Sequence, residues 1–360
     1  MKEIAKIGLD ELGYGEFIVS GQESLVQASD QVARVVAEHK GAYRVRSASG
    51  ERIAKMTGKQ IFSAVSREDY PAVGDWVTIA ELDLEKAVIH GILPRKTVLK
   101  KKYNDKQDVQ IIGTNIDAAF VVESLDRDYN LNRFERYLVL AKEGGIKPVI
   151  VLNKVDLVSE AELDERIAQI QKRFDGIDVI PTSAVTEHGF ESLVNAIAKG
   201  KTYCFLGSSG VGKSSLINKL LKSDAIKTGA IGDAASRGKH TTTTREMYFL
   251  ENGGIVIDNP GTREVGIAAA DVGIENVFDE IARLSEECKY ADCAHVHEPE
   301  CAVLKAVEEK RLDEDKYRNY LRLKKENEYY ESTDLGRREK SRKFGKFVKK
   351  ALKQLKEIKP

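Results

Sequence analysis

Residues 207–215 read Gly-Ser-Ser-Gly-Val-Gly-Lys-Ser-Ser, and Gly207-x4-Gly212-Lys213-Ser214 has the spacing of a loop that wraps phosphate groups. The run Tyr203–Leu206 supplies a strand before it and Ser214–Leu221 a helix after it, so the glycines fall at the turn between them. Backbone N–H groups of Gly207, Ser208, Ser209, Gly210, Val211 and Gly212 would then cradle an anion, together with the helix start at Lys213, Ser214 and Ser215. Lys213 would meet β- and γ-phosphates, and the Ser214 hydroxyl would ligate Mg²⁺.

Asn153-Lys154-Val155-Asp156 closes the apolar run Pro148–Leu152. An aspartate at that place accepts hydrogen bonds from guanine N1–H and the exocyclic amine. Adenine cannot offer both, so it strands a buried carboxylate at a cost of about 2 kcal/mol. Asn153 reaches the base edge and the Lys154 stem covers its face. Thr182-Ser183-Ala184 ends the next strand, and a small-residue turn lets a backbone N–H of Ser183 or Ala184 approach the guanine carbonyl. Asp258-Asn259-Pro260-Gly261 follows another strand: Asp258 would hold Mg²⁺ through water and the Gly261 N–H would sense the γ-phosphate. Between them, the Thr-rich run 237–245 reads as a switch loop with a threonine to complete the metal shell.

Each of these motifs sits at the carboxyl end of an expected strand, where open parallel sheets bind ligands. Their order is base motif, small-residue turn, phosphate loop, Thr switch, Asp-x-Pro-Gly (G4-G5-G1-G2-G3). Moving the first two to the end restores the usual order of a P-loop GTPase. A cyclic shift keeps every spatial neighbour, so the sequence reads as one circularly permuted guanine-nucleotide site.

Cys288-x4-Cys293-x-His295-x5-Cys301 places three thiols and an imidazole within 14 residues. That is a closed ligand set for one structural Zn²⁺, with His297 as the competing histidine. A zinc hydrolase would need an open coordination position, and none is evident. Cys204 stands apart.

Around these motifs the chain changes texture. Its 360 residues suggest two or three domains, and it is 42% hydrophobic and 32% charged. The expected organisation is multidomain: a lead-in over residues 1–30, an OB-fold barrel of five short strands over 31–105, and a central α/β GTPase domain over 106–270. A mostly helical zinc-binding domain over 271–335 and a basic tail over 336–360 follow. From Arg337 onward eleven Lys/Arg face two Glu, a net of +9. As the chain has 57 bases and 57 acids, the remainder carries −9. Such a tail points to a polyanion, and its apolar residues Phe344, Phe347, Val348, Ala351, Leu352 and Leu355 recur at helical spacing. No run of about 18 apolar residues and no apolar signal core is found, so a soluble cytoplasmic protein without membrane contact is expected.

The combination resembles the ribosome small-subunit-dependent GTPase family RsgA (YjeQ/YloQ). The stretches that carry the resemblance include RVVAEHKGAYRV, AVGDWV, ILPRKTVL, NKVDL, GSSGVGKSSLIN, RGKHTTTTRE, DNPGTRE and CKYADCAHVHEPECAV, over roughly residues 31–335. The resemblance implies GTP hydrolysis to GDP and phosphate with Mg²⁺, stimulated by the 30S ribosomal subunit late in its maturation, with contacts to 16S rRNA. It implies that the switch-loop His240, beside Lys213, acts in catalysis, because Thr262 stands where many GTPases carry a water-orienting Gln. Thr242 or Thr243 is the favoured switch ligand of Mg²⁺. A monomer is expected. The alternative reading is a nucleotide-gated RNA- or ribosome-binding module with negligible turnover; a P-loop kinase using ATP fits Asn153 and Asp156 poorly.

Overall fold

The computed structural model describes residues 8–15, 31–39, 41–102, 109–126, 129–223, 226, 245–258, 266–267 and 269–331. His240, Thr242, Thr243, Gly261 and the 336–360 tail lie outside the described residues.

Five strands form the N-terminal barrel: β1 (Gln31–His39), β2 (Ala42–Ser47), β3 (Gly50–Met56), β4 (Trp76–Glu81) and β5 (Lys86–Ile92). They pair in the order β1-β2-β3-β5-β4, and β4 returns to β1, so no edge is left inside the ring. Buried and accessible residues alternate along β2 and β3, and Val35, Val45, Ala54, Val77 and Ile89 fill the interior. A short helix, α1 (Gly58–Ser63), spans the gap before β4; Thr57 and Gln60 cap it reciprocally. The run Lys86–Leu99 reads as one strand in the sequence, but Pro94 interrupts it. Its second half, β6 (Val98–Lys102), pairs instead with β7 (Val109–Thr114) in a separate antiparallel hairpin.

The central sheet contains β8 (Ala118–Ser124), β9 (Lys147–Asn153), β10 (Val179–Pro181), β11 (Thr202–Leu206), β12 (Glu246–Phe249) and β13 (Ile255–Asp258). Its order is β10-β9-β8-β11-β13-β12, and only β12 runs antiparallel to its neighbour in it. Between strands run α2 (Leu131–Glu143), α3 (Glu160–Arg173), α4 (Phe190–Asn195) and α5 (Lys213–Leu220). Two apolar clusters cover the two faces, which is why β8 and β11 are buried at every position. The C-terminal region is helical: α6 (Asp271–Val277), α7 (Asp279–Ser285), α8 (Ala302–Glu308) and α9 (Glu314–Glu331).

Barrel and central sheet are joined along β1, where Ala37 pairs with Glu246 of β12. Arg34, also on β1, is 2% exposed. Its guanidinium donates to the carbonyls of Leu12 (2.5 Å), Gly74 (3.4 Å) and Asn115 (3.3 Å) and to Thr202 Oγ1 (2.8 Å), and it lies over the Trp76 ring. Burial lowers its pKa to about 10, against the pull of Asp117 and Asp75, so it remains a cation at neutral pH. One side chain thus satisfies acceptors from the lead-in, the barrel, the hairpin exit and β11. Arg34→Leu should strip the Leu12 and Asn115 carbonyls of this donor, while Gly74 keeps its bond from Asn115 Nδ2 at 3.0 Å, lowering stability by about 3 kcal/mol in urea unfolding. An unchanged midpoint would show that the joint does not depend on Arg34.

Candidate functional site

The carboxyl ends of β9, β10 and β11 bring the base motif, the small-residue turn and the phosphate loop together. Asn153, 1% exposed at the end of β9, donates through Nδ2 to the Val211 carbonyl at 2.8 Å, bridging the base motif to the phosphate loop. Thr182 N donates to the Leu152 carbonyl (2.7 Å) and Val155 N to the Thr182 carbonyl (3.3 Å), so the base motif and the small-residue turn share a backbone seam. Asp156 accepts a 2.5 Å bond from the Ser183 hydroxyl, which itself accepts from Val185 N and Thr186 N at 3.1 Å each. Lys219 of α5 donates to the Ala184 carbonyl (3.1 Å) and pairs with Glu187 (2.9 Å), tying the helix behind the phosphate loop to that same turn.

The phosphate loop needs its glycines for two reasons. Gly207 (φ +144°) and Gly212 (φ +95°) adopt backbone conformations that L side chains rarely take. A Cβ on Gly207 would lie 2.2 Å from the Val122 carbonyl, and one on Gly212 would lie 2.1 Å from Asn153 Nδ2. Lys213 curls back to donate to the carbonyls of Gly207 (2.7 Å) and Ser208 (2.6 Å), which holds its ammonium over the loop. Ser214 and Ser215 occupy the first turn of α5, and Ser209 and Gly210 are exposed at the loop's rim. Asp258 ends β13, which is paired to β11. That brings a carboxylate to the neighbouring strand end, where a hydroxyl–carboxylate pair suits a hard, oxygen-loving cation.

Two residues of this site carry no local sequence signal. Asp126 pairs with the Lys154 ammonium at 2.8 Å, from the turn after β8. Tyr137 of α2 reaches the Ser208 side chain; burial pushes its phenol up, and that hydrogen bond pulls the other way.

The second cluster lies among α7, α8 and α9. The ligand atoms of Cys288, Cys293, His295 and Cys301 lie within 4.8 Å of one another. A metal about 2.3 Å from sulfur and about 2.1 Å from nitrogen implies tetrahedral edges of about 3.8 Å (S–S) and about 3.6 Å (S–N). The structure has Cys288–Cys301 at 3.8 Å, and His295 Nδ1 at 3.6 and 3.5 Å from those two sulfurs. The Ser285 hydroxyl donates to the Ile281 carbonyl at 2.7 Å and therefore accepts from His295 Nε2 at 3.0 Å. This fixes the proton on Nε2 and leaves the Nδ1 lone pair facing the thiols. The donor set and its dimensions fit Zn²⁺. His297 is exposed and outside the cluster. Glu298, which the sequence did not single out, closes the loop by accepting from Ala294 N, Val296 N and His297 N, bonds that hold its carboxyl near a pKa of about 2. Cys204 is buried within β11; burial raises its thiol to about 12, leaving it an inert apolar group.

A P-loop sheet whose base-reading strand precedes its phosphate strand defines a circularly permuted GTPase. Two solved structures share the fold: YjeQ from Thermotoga maritima (TM-score 0.60, 28% identity, covering 82% of this chain and 97% of that one) and YloQ, a circularly permuted GTPase (TM-score 0.58, 25% identity, 85% and 98%). The RsgA GTPase family model matches residues 92–268. Among curated relatives, RsgA 2 of Lactiplantibacillus plantarum is 39% identical over 339 residues (93% of this chain, 95% of the relative), and RsgA 2 of Listeria monocytogenes is 39% identical over 347 residues (96% of each). The chain belongs to the RsgA GTPase family, and it is a GTP hydrolase.

Gly212→Ala tests the seam between the two halves of the site. Its Cβ would displace the Asn153 amide and force an L residue to a positive φ, at a cost of about 1–3 kcal/mol. Guanine-nucleotide affinity, read by fluorescent GDP titration, should fall about tenfold or more. Wild-type affinity would mean that the Asn153–Val211 contact is dispensable for binding.

Proposed function

We propose that this chain hydrolyses GTP on the small ribosomal subunit during that subunit's biogenesis, and that the 30S particle stimulates the reaction late in maturation. The observation that supports the site assignment is the Asn153–Val211 hydrogen bond, which ties the base motif to the phosphate loop. The relatives' name, small ribosomal subunit biogenesis GTPase, supports the partner.

In this reading Asp156, held by Ser183, accepts from guanine N1–H and the exocyclic amine. Asn153 and Lys154 bound the base, and the N–H at Ala184 faces its carbonyl, because the Ser183 N–H already donates to the His188 carbonyl at 2.9 Å. The amides of 207–215 cradle the phosphates. Lys213 exchanges two loop carbonyls for phosphate oxygens, so its charge is placed before the ligand arrives. Ser214 and a threonine, Thr242 or Thr243, would ligate Mg²⁺ and Asp258 would hold it through water; the ion would supply neutralisation of phosphate charge. Gly261 senses the γ-phosphate and His240 orients the attacking water. One Zn²⁺ on Cys288, Cys293, His295 and Cys301 stabilises the C-terminal module. Domain limits of 31–105, 106–270 and 271–335 follow from the same reading, with barrel, zinc module and basic tail meeting 16S rRNA. The protein works as a monomer in the cytoplasm, where ribosomal subunits of the kind named for its relatives are assembled.

Multiple-turnover phosphate release should rise with purified 30S particles and stay near its basal rate with 50S particles or none. Equal rates in all cases would remove the small subunit as activator. Asp156→Asn should weaken GTP binding about 30-fold, since one lost charged pairing costs about 2 kcal/mol, and should improve binding of a xanthine nucleotide, whose 2-oxo group accepts from an amide. An unaltered base preference would remove Asp156 from the base site. One zinc per chain should be released by thiol modification and detected with a chelating dye; a metal content of zero in carefully prepared protein would overturn the zinc assignment.

A further inference from the structure

Two peptide units flank Ala184, and one ammonium holds both. Lys219 of α5 donates to the Ala184 carbonyl at 3.1 Å. The N–H of that same peptide unit belongs to Val185, and it donates to the Ser183 hydroxyl at 3.1 Å. The unit between Ala184 and Val185 is therefore pinned at both ends. A cation on its oxygen also polarises its N–H and strengthens the bond there. The unit before it carries the Ser183 carbonyl and the Ala184 N–H. That carbonyl accepts from Glu187 N at 3.1 Å, and the Glu187 carboxylate pairs with Lys219 at 2.9 Å. Lys219 thus reaches the first unit directly and the second through Glu187.

The turn needs such a hold. Residues 185–188 are exposed, and Glu187 has φ +65°, a left-handed conformation that side chains other than glycine rarely adopt. An exposed ion pair contributes little by itself, although Lys219 does keep the Glu187 carboxyl below its usual range. The ammonium also lies 5.1 Å from the centre of the Phe190 ring, where α4 begins. Turn and helix face each other across a cleft of about 740 Å³, lined by Ala184, Glu187 and Phe190 on one side and Ser215, Asn218 and Lys219 on the other. Along α5, Lys219 follows Lys213 by six residues, about 9 Å at the helical rise. The helix that opens with the phosphate-loop lysine therefore also carries the anchor of the base turn.

We infer that Lys219 is a positioning residue for guanine selection, which fixes the peptide units around Ala184 so that the Ala184 N–H meets the 6-oxo group of the base. This rests on the reading that Ala184 faces that carbonyl. The contribution is confined to the 6-oxo side. On the other side of the base the Ser183 hydroxyl keeps its bonds to Asp156 (2.5 Å) and from Thr186 N (3.1 Å) when Lys219 is replaced.

The test uses the full-length, zinc-loaded protein with Lys219→Met and Lys219→Arg. Met keeps an apolar stem beside Phe190 and lacks the charge; Arg keeps cationic donors. Affinities are measured for GDP, for IDP, which lacks the 2-amino group, and for 2-aminopurine riboside diphosphate, which lacks the 6-oxo group. Lys219→Met should weaken GDP and IDP about fivefold each, the worth of one hydrogen bond, and the 2-aminopurine nucleotide by less than about twofold. Lys219→Arg should retain most of the wild-type preference for GDP over the 2-aminopurine nucleotide. A parallel loss for all three nucleotides in the Met variant overturns the inference, as does a fall in the GDP-to-IDP ratio, which would put the effect on Asp156. An Arg variant as impaired as the Met variant also overturns it. A wild-type preference that survives intact in Lys219→Met sinks the inference alone. Equal wild-type affinities for GDP and the 2-aminopurine nucleotide would sink the reading of Ala184 first, and the inference with it.

Discussion

The site depends on one contact, the hydrogen bond from the Asn153 amide to the Val211 carbonyl. It joins two loops that lie 58 residues apart in the chain and in reversed order relative to an ordinary GTPase. The bond is possible because β9 and β11 flank β8 in one parallel sheet, so their carboxyl ends emerge on the same edge. Permutation changed where the chain is cut and left this adjacency intact. The strand order β12-β13-β11-β8-β9-β10 makes the point directly. Counted from β11 as the first strand, it is the open sheet expected of an uninterrupted GTPase, with β8, the strand that now comes first, taking the fourth place. Gly212 is the other half of the requirement, since any side chain there would occupy the space that the Asn153 amide uses.

Around this contact, α2 acts as the common support. Its Tyr137 touches the phosphate loop, Arg136 holds Glu326 of α9, and Glu135 is fully buried against Arg173 of α3 at 2.8 Å, with Asn319 of α9 as a further donor. Burial pushes the Glu135 carboxyl upward, and Arg173 and Asn319 pull it back. Arg173 is itself anchored by Asn132 (2.6 Å) and Asp315 (3.0 Å). A buried ion pair of this sort adds little net stability relative to an apolar replacement, but removing one partner leaves a stranded charge. Its consequence is geometric: three helices from different parts of the chain accept only one mutual arrangement.

What the sequence made legible is local. The phosphate loop, the Asn153–Asp156 motif and the Cys/His cluster each sit within a short run, and their chemistry follows from residue type and spacing. The alternation in β2 and β3 signals a one-sided barrel strand, while the unbroken apolar run of β8 signals a strand covered on both faces. Arg34 was not legible, because a lone arginine in an apolar strand says nothing about carbonyls at residues 12, 74 and 115. Asp126 and Tyr137 were silent for the same reason: their partners, Lys154 and Ser208, are 28 and 71 positions away. The hairpin β6–β7 was hidden by a smooth apolar pattern through which Pro94 breaks the ladder. Ser285 and Glu298 support the Cys/His cluster from just outside its four residues, where spacing rules give no signal.

The two flanking modules share a mode of attachment. The barrel holds the chain where it leaves the Thr-rich loop: Glu38 pairs with Arg245 at 3.1 Å, Arg44 pairs with Glu246, and β1 carries β12. Hairpin and C-terminal module hold the chain where it leaves the Asp-x-Pro-Gly turn, through Lys102 and Glu326. In each case the held residues follow a sequence motif of the nucleotide site, and the holding side chain comes from a different module. Residues 245–246 and 266–270 are thus tied to different modules, barrel on one side and hairpin with C-terminal helices on the other, although β12 and β13 between them pair in one sheet.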